Sequence, residues 1–477
     1  MPTFTCNLAQ SSKPFAHFWE HTVGSGHAPL ALRADWQAQL RCCHEELGFR
    51  HVRFHALLSE EIGTLVCETN KSFYSFFNAD QVMDFLVSIS VRPFVELSFM
   101  PEMLASGSTR VFNYQANVTP PKNYRQWEEL IYKLASHWVE RYGLNEVREW
   151  FFEVWNEPNL KAFWSGTQKD YFKLYQITAR ALKRVDPLLK VGGPATAKNA
   201  WIPEFLEFCE KRKVPVDFVS THHYPTDAFG KAGANTLSQL QHAPPHVMRD
   251  DVRTVRGQAK GLPLYYTEWN ISSNPRDALH DEPFAATYAM KIILEAQGLV
   301  EGYSFWTFSD IFNENYFPSV PFQGGFGLLN IHGIAKPIYR AFEMLHRLGT
   351  ETLDVEGNHE TVDAWFVRRQ MAATMLLTNH AMPRHPIRKQ RVNVRLKGAQ
   401  RPRRVYAERI DERHANARKF WESLGRPDYL SAAQVEKLKA ASQLVKEEQR
   451  WQYDNGNVAC AVTVPPHGTV ALTFEFA

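Results

Sequence analysis

Between about residues 17 and 345 the chain alternates short, strand-like apolar runs with longer, helix-like ones. Strand candidates lie at 17–23, 51–58, 92–98, 147–155, 190–194, 216–222, 262–269 and 302–308, the first of them running into Gly24-Ser25-Gly26. Helix candidates at 34–47, 78–89, 124–142, 170–185, 203–213 and 282–298 fall between them. The clearest helix is 124–142, where Trp127, Leu130, Ile131, Leu134 and Trp138 recur on one face and Gly143 stops the run. Eight strands alternating with helices over this length predict an α/β fold, a (β/α)8 barrel and not an open sheet.

Beyond about residue 348 the texture changes. Short segments of alternating polarity at 361–368, 370–379, 392–396, 404–409 and 469–477 read as strands of a β-sandwich. A charged, helical-looking insertion near 412–449 interrupts them, and the opening strand-like run 3–8 is placed to complete the sandwich. A chain of 477 residues suits one large barrel plus a smaller module. The expected division is a catalytic barrel at 14–347 and a sandwich accessory domain built from 1–13 and 348–477.

Composition removes several classes of function. The formal charge is only +3, and no run of five or more basic residues marks a nucleic-acid surface; Arg401-Pro402-Arg403-Arg404 reads as a solvated loop. No apolar run reaches membrane-spanning length, and Met1 to Gln10 is polar, without the pattern of a secretory leader. Six cysteines in dissimilar contexts, with no CxxC pair, fit a reducing compartment better than a disulfide frame or a zinc site. The expectation is a soluble, cytoplasmic protein with no nucleic-acid or membrane partner.

Two strings end strands on opposing sides of such a barrel: Trp155-Asn156-Glu157-Pro158 on the fourth and Tyr266-Thr267-Glu268-Trp269-Asn270 on the seventh. Barrel active sites gather at the C-terminal ends of the strands. A single strand-end glutamate is ordinarily a solvated loop residue. Two of them, embedded among apolar residues and facing one cleft, are the arrangement that glycoside hydrolysis requires.

An ordered set of strings makes this specific. RPFVEL (92–97), NVTPPK (117–122), FEVWNEPNL (152–160), VGGPA (191–195), PVDFVS (215–220), YSFWTFSD (303–310) and GGFGL (324–328) span most of residues 15–345. In this order the chain resembles glycoside hydrolase family 39, and within it the bacterial β-xylosidase branch. The resemblance implies an exo-acting, retaining β-glycosidase that takes an oligosaccharide substrate and needs no cofactor or metal, with β-xylosidase the leading specificity. Other specificities of the family (α-L-arabinosidase, β-glucosidase, iduronidase-like) and a non-catalytic carbohydrate-binding protein stand as alternatives. Family resemblance and the appended sandwich are compatible with a homo-oligomer.

Carried over residue by residue, the resemblance makes Glu157 the general acid/base and Glu268 the nucleophile. Retaining chemistry places such carboxyls about 5–5.5 Å apart. Asn156 takes the place of the asparagine that binds the sugar 2-hydroxyl; without the motif it would be a turn residue. In Thr221-His222-His223-Tyr224 the family pattern puts His222 and Tyr224 in the site, with the Tyr224 hydroxyl orienting Glu268 and His223 pointing elsewhere. His55, Trp306 and Glu314 match positions that hold the sugar, and Phe112 and Phe163 match cleft aromatics. Two departures bear on specificity: Asn313 stands where family xylosidases tend to carry an acid, and Trp269 where they often have Tyr.

Overall fold

The computed structural model describes residues 1–68, 71–227, 235–314, 316–317 and 319–476. Its centre is a closed barrel of eight parallel strands that follow one another round the ring in chain order: Thr22–His27, His51–His55, Arg92–Leu97, Phe151–Val154, Lys190–Thr196, Phe218–His222, Leu264–Trp269 and Gly302–Phe305. Helices Ala34–Leu47 and Tyr124–Tyr142 have the bounds read from periodicity, and Gly48 and Gly143 follow them with φ of 76° and 85°.

All eight strands differ from their expected bounds at one end or both, and the starts of the first and fourth move furthest. The first strand is Thr22–His27, and Phe18–Glu20, inside the expected 17–23, is a 3-10 turn. Gly24 and Gly26, read as a stop, lie within the strand because other parts of the chain approach there. A Cβ on Gly24 would come within 2.5 Å of the Trp306 ring, and one on Gly26 within 3.0 Å of Leu30. In the fourth strand, Val147 belongs to the helical turn Leu144–Val147 and the strand proper is Phe151–Val154. Trp155, at its end, has already turned into the left-handed region with φ 72°.

Side chains alternate across a strand with period two, so the barrel interior is built in layers. The lower layer is an aromatic floor of Phe94, Phe151, Phe218 and Tyr265, with Phe94 and Phe151 stacked at 5.0 Å and the imidazoles of His21 and His51 packed against them. Two residues further along the strands come Arg53, Glu96, Glu153 and Thr267, all buried. Another two residues bring His55, Ser98 and His222 to the mouth. The floor seals one end and the polar layer supports the other.

Two further sheets enclose a separate apolar core. One runs, in spatial order, Val355–Glu356, Thr3–Asn7, Gln390–Lys397, Asn457–Val464 and Trp451–Asp454. Thr3–Asn7 pairs in parallel with Gln390–Lys397, so the opening residues join a sheet made mostly from the end of the chain. The other has seven strands centred on Val362–Arg369, Ala372–Asn379, Gly468–Glu475 and Arg404–Ile410. Ala477, the last residue of the expected strand 469–477, lies outside the described residues. The insertion forms helices Ala417–Ser423 and Ala432–Ala441, and Trp421 packs on Phe322 with ring centroids 5.6 Å apart. That contact ties the insertion to the long loop after the eighth barrel strand. No described helix is long and apolar enough to cross a membrane.

Candidate active site

The fourth strand delivers Glu157 on a strained turn. Trp155 and Glu157 have φ of 72° and 42°, values that bulky L-residues rarely adopt. The turn is held from outside: Trp155 Nε1 donates to the Phe163 carbonyl at 2.8 Å, and the Glu157 amide donates to the Ala195 carbonyl at 2.8 Å. The seventh strand delivers Glu268 through a break in its alternation: Tyr265 and Thr267 face the barrel interior, and a register shift between Tyr266 and Trp269 brings Glu268 to the cleft as well, with Trp269 packed outward. Trp269 stacks on Tyr303 at 4.5 Å, away from the cleft, so the departure at this position acts through packing.

The two carboxyls meet at His222. One carboxyl oxygen of Glu157, one of Glu268 and one ring nitrogen of His222 all lie within 4.8 Å of one another. His222 Nδ1 is 3.0 Å from Glu157 Oε1 and 3.6 Å from Glu268 Oε2. The Tyr224 hydroxyl donates to Glu268 Oε1. These three could also surround a cation, but the donor set does not suit one: His222 Nε2 is engaged by Thr267, and Arg53 already brings positive charge to within 3.5 Å of Glu268. His223 turns the other way and meets Asp251 at 3.1 Å.

Beneath them Arg53 binds three strands together. Its Nε donates to Glu153 at 2.6 Å, and its Nη2 lies 2.7 Å from Glu96 and donates to Asn156 Oδ1 at 3.0 Å. Glu96 and Glu153 are register partners on adjacent strands, so without the guanidinium two buried carboxylates would stand side by side. Because Arg53 can only donate, Asn156 accepts through Oδ1 and keeps its NH2 group as the donor it can offer a ligand.

The other wall holds the remaining residues. His55 Nδ1 is 2.7 Å from Glu96 Oε2, and its ring lies 4.8 Å from that of Trp306 and 6.2 Å from that of Phe112. Phe112 in turn contacts Phe163 at 5.4 Å. Glu314 Oε1, 3.7 Å from His55 Nε2, has no hydrogen-bond partner among the described residues, nor has the neighbouring Asn313 Oδ1. Both are buried polar atoms left unsatisfied, and Glu314, beside His55, stands where a ligand hydroxyl would satisfy it.

The charges here are not interchangeable. Burial pushes the Glu157 carboxyl up to about 7, against the pull of His55 and Arg53. Burial also raises Glu268, but His222 and Arg53 oppose the rise, and the Tyr224 hydroxyl favours its ionised form. Burial together with Glu268, Glu96 and Glu157 holds Glu314 well above the usual carboxylate range. Burial would likewise raise Glu96, but His55 and Arg53 keep it low.

All eight residues singled out in the sequence (His55, Asn156, Glu157, His222, Tyr224, Glu268, Trp306 and Glu314) therefore line or border one cleft. Sequence reasoning passed over Arg53, Glu96, Glu153 and Thr267. The signal for them was the strand period: counting back by twos from His55 and Trp155, and forward from Tyr265, marks Arg53, Glu153 and Thr267 as inward-facing.

The chain matches the model of glycosyl hydrolases family 39 over residues 4–459. It is 47% identical to a β-xylosidase of Caldicellulosiruptor saccharolyticus over 479 residues, covering 99% of this chain and 98% of that protein. It is 39% identical to a β-xylosidase of Geobacillus stearothermophilus, covering 91% of this chain and 88% of the relative. Among solved structures, a monomeric β-xylosidase from Caulobacter crescentus CB15 superposes with a TM-score of 0.88 at 33% identity, with all of both chains covered.

Proposed function

This chain belongs to glycosyl hydrolases family 39, and on that footing we propose a retaining, exo-acting β-xylosidase that releases terminal xylose from short xylo-oligosaccharides. The observation that carries the mechanism is the closeness of Glu157 and Glu268, within 4.8 Å, which leaves no room for a water between a base and the sugar. Glu268, kept ionised by Arg53 and Tyr224, attacks the anomeric carbon. Glu157, kept protonated by its buried setting, gives its proton to the departing oxygen. The glycosyl ester on Glu268 removes that negative charge, so Glu157, now a carboxylate, takes a proton from water as the water attacks and frees the sugar. Asn156 holds the 2-hydroxyl, Trp306 lies under the ring, and His55 and Glu314 bind the outer hydroxyls.

An uncharged pentose suits this pocket better than a uronic acid. Glu96, Glu153 and Glu268 outnumber the single guanidinium of Arg53 beneath the cleft, and an added carboxylate would face like charge. A cytoplasmic enzyme finishing imported oligomers is supported by six free cysteines. The test is a panel of aryl β-xylosides, α-L-arabinosides, β-glucosides and iduronides. The β-xyloside is expected to have the highest kcat/KM, and preference for any other glycoside overturns the specificity. For the roles, Glu157→Ala is expected to slow poor leaving groups far more than activated ones and to recover turnover with azide. Equal losses on both would remove the acid role.

A further inference from the structure

Thr267 sits one residue before the proposed nucleophile and touches neither catalytic carboxyl among the described residues. Its hydroxyl has two neighbours: Glu153 Oε1 at 2.7 Å and His222 Nε2 at 3.1 Å. A hydroxyl has one proton to give. Glu153 is ion-paired with Arg53 at 2.6 Å and can only accept, so the Thr267 proton goes to Glu153. The Thr267 oxygen must then accept from His222, which places the His222 proton on Nε2. Burial pushes His222 down to about 4, so near neutrality the ring carries no second proton. Its Nδ1 is therefore a bare lone pair, 3.0 Å from Glu157 Oε1.

A lone pair at that distance from a carboxylate oxygen is repulsive, whereas with a protonated carboxyl it forms a hydrogen bond. We infer that Thr267 is a positioning residue which, by fixing the His222 tautomer from the Glu153 side, holds the catalytic proton on Glu157. The chain runs Arg53, Glu153, Thr267, His222, Glu157, and every donor in it has a single permitted direction. It favours the acid form of Glu157 before the first step. After that step it makes the newly formed carboxylate a stronger base toward water, because the same lone pair faces the anion. No proton moves along the chain; one is kept in place at its end.

Other charges act on Glu157 as well. His55, Arg53 and Lys198 favour its anion, and Glu96 opposes them. Glu268, Glu314, Asp227 and the Tyr224 hydroxyl face it from the sixth, seventh and eighth strands and their loops. Thr267→Val leaves all of these in place; it removes the acceptor that orders His222 together with the proton given to Glu153, which keeps its ion pair with Arg53. The ring is then free to turn its proton to Nδ1, where it would donate to the Glu157 carboxylate and favour ionisation.

The inference rests on Glu157 being the acid/base, which Glu157→Ala tests on its own. The experiment is the pH profile of kcat/KM for Thr267→Val and Thr267→Ser on a xyloside with a poor leaving group and one with an activated leaving group. Thr267→Val is expected to move the alkaline limb about one pH unit lower, so that activity on the poor leaving group falls roughly tenfold above that limb, while the activated substrate loses little. Thr267→Ser is expected to restore the native limb. An unmoved limb, or equal losses on both substrates, overturns the inference even where Glu157→Ala behaves as an acid/base variant. If Thr267→Val does not fold, ¹⁵N imidazole shifts of His222 in the native protein decide: a proton on Nε2 with Nδ1 bare is expected, and a proton on Nδ1 overturns the inference.

Discussion

Arg53 Nη1 lies 3.5 Å from Glu268 Oε2 and has no hydrogen-bond partner elsewhere among the described residues. The two come from the second and seventh strands, and the guanidinium is also what separates Glu96 from Glu153. One buried cation thus holds the polar layer under the site together and favours the charged form of Glu268, the proposed nucleophile.

Arg53→Met removes that charge while filling much of the volume. Glu96 and Glu153 are left buried side by side without the guanidinium between them, a loss that costs about 3–5 kcal/mol where a buried pair is broken. The expected outcome is that much lost stability in urea unfolding and a kcat/KM reduced even where the protein remains folded. Full activity in the folded variant would show that Glu268 does not depend on Arg53.

The two carboxyls set opposite limbs of a pH profile. As the proposed nucleophile Glu268 must be ionised, and its pKa is raised above the ordinary glutamate value, so kcat/KM is expected to fall as pH drops through that raised value. As the proposed acid Glu157 must be protonated, so kcat/KM is expected to fall as pH rises through about 7. The expected profile is a bell whose limbs belong to the pair together. It is read from initial rates on an aryl xyloside across pH, and a flat alkaline side would contradict the buried acid.

Gly24→Ala tests why the first strand contains a glycine. Its Cβ would press on the Trp306 ring at 2.5 Å, so the ring has to shift from its place beside His55. A rise in KM of roughly 2–10-fold is expected from the displaced stacking surface, with kcat less affected. An unchanged KM would show that Trp306 does not carry the sugar.

The barrel was legible because its helices are amphipathic and its strands apolar; Ala34–Leu47 and Tyr124–Tyr142 needed no adjustment. The first strand lies later than its sequence suggests because glycine ordinarily punctuates a strand, whereas Gly24 and Gly26 make room for Trp306 and Leu30. The glutamates at strand ends were readable from barrel geometry and family strings alike. Arg53, Glu96 and Glu153 were not, because a charged residue in a strand ordinarily faces solvent, and only closure of the barrel puts these three inside. Thr267 was silent for another reason: its role depends on which neighbour takes its single proton, and that is a matter of distances.

The insertion also has a measurable role. Trp421 is buried against Phe322, on the loop that carries Glu314. Trp421→Ala is expected to cost about 3–5 kcal/mol if the cavity does not collapse, and to raise KM by loosening that loop. Thermal unfolding and KM measured together check it; a change in neither would leave the insertion unconnected to the site.

Glu268 as the nucleophile is the centre of the account, and a covalent trap tests it most directly. A 2-deoxy-2-fluoro-β-xyloside with an activated leaving group slows both steps but leaves the glycosyl ester the longer lived. Peptide mass spectrometry of the inactivated protein is expected to find one fluoroxylosyl group per chain, on Glu268 in the segment 264–270. A label on Glu157 or any other residue, or turnover with no label at all, would contradict it.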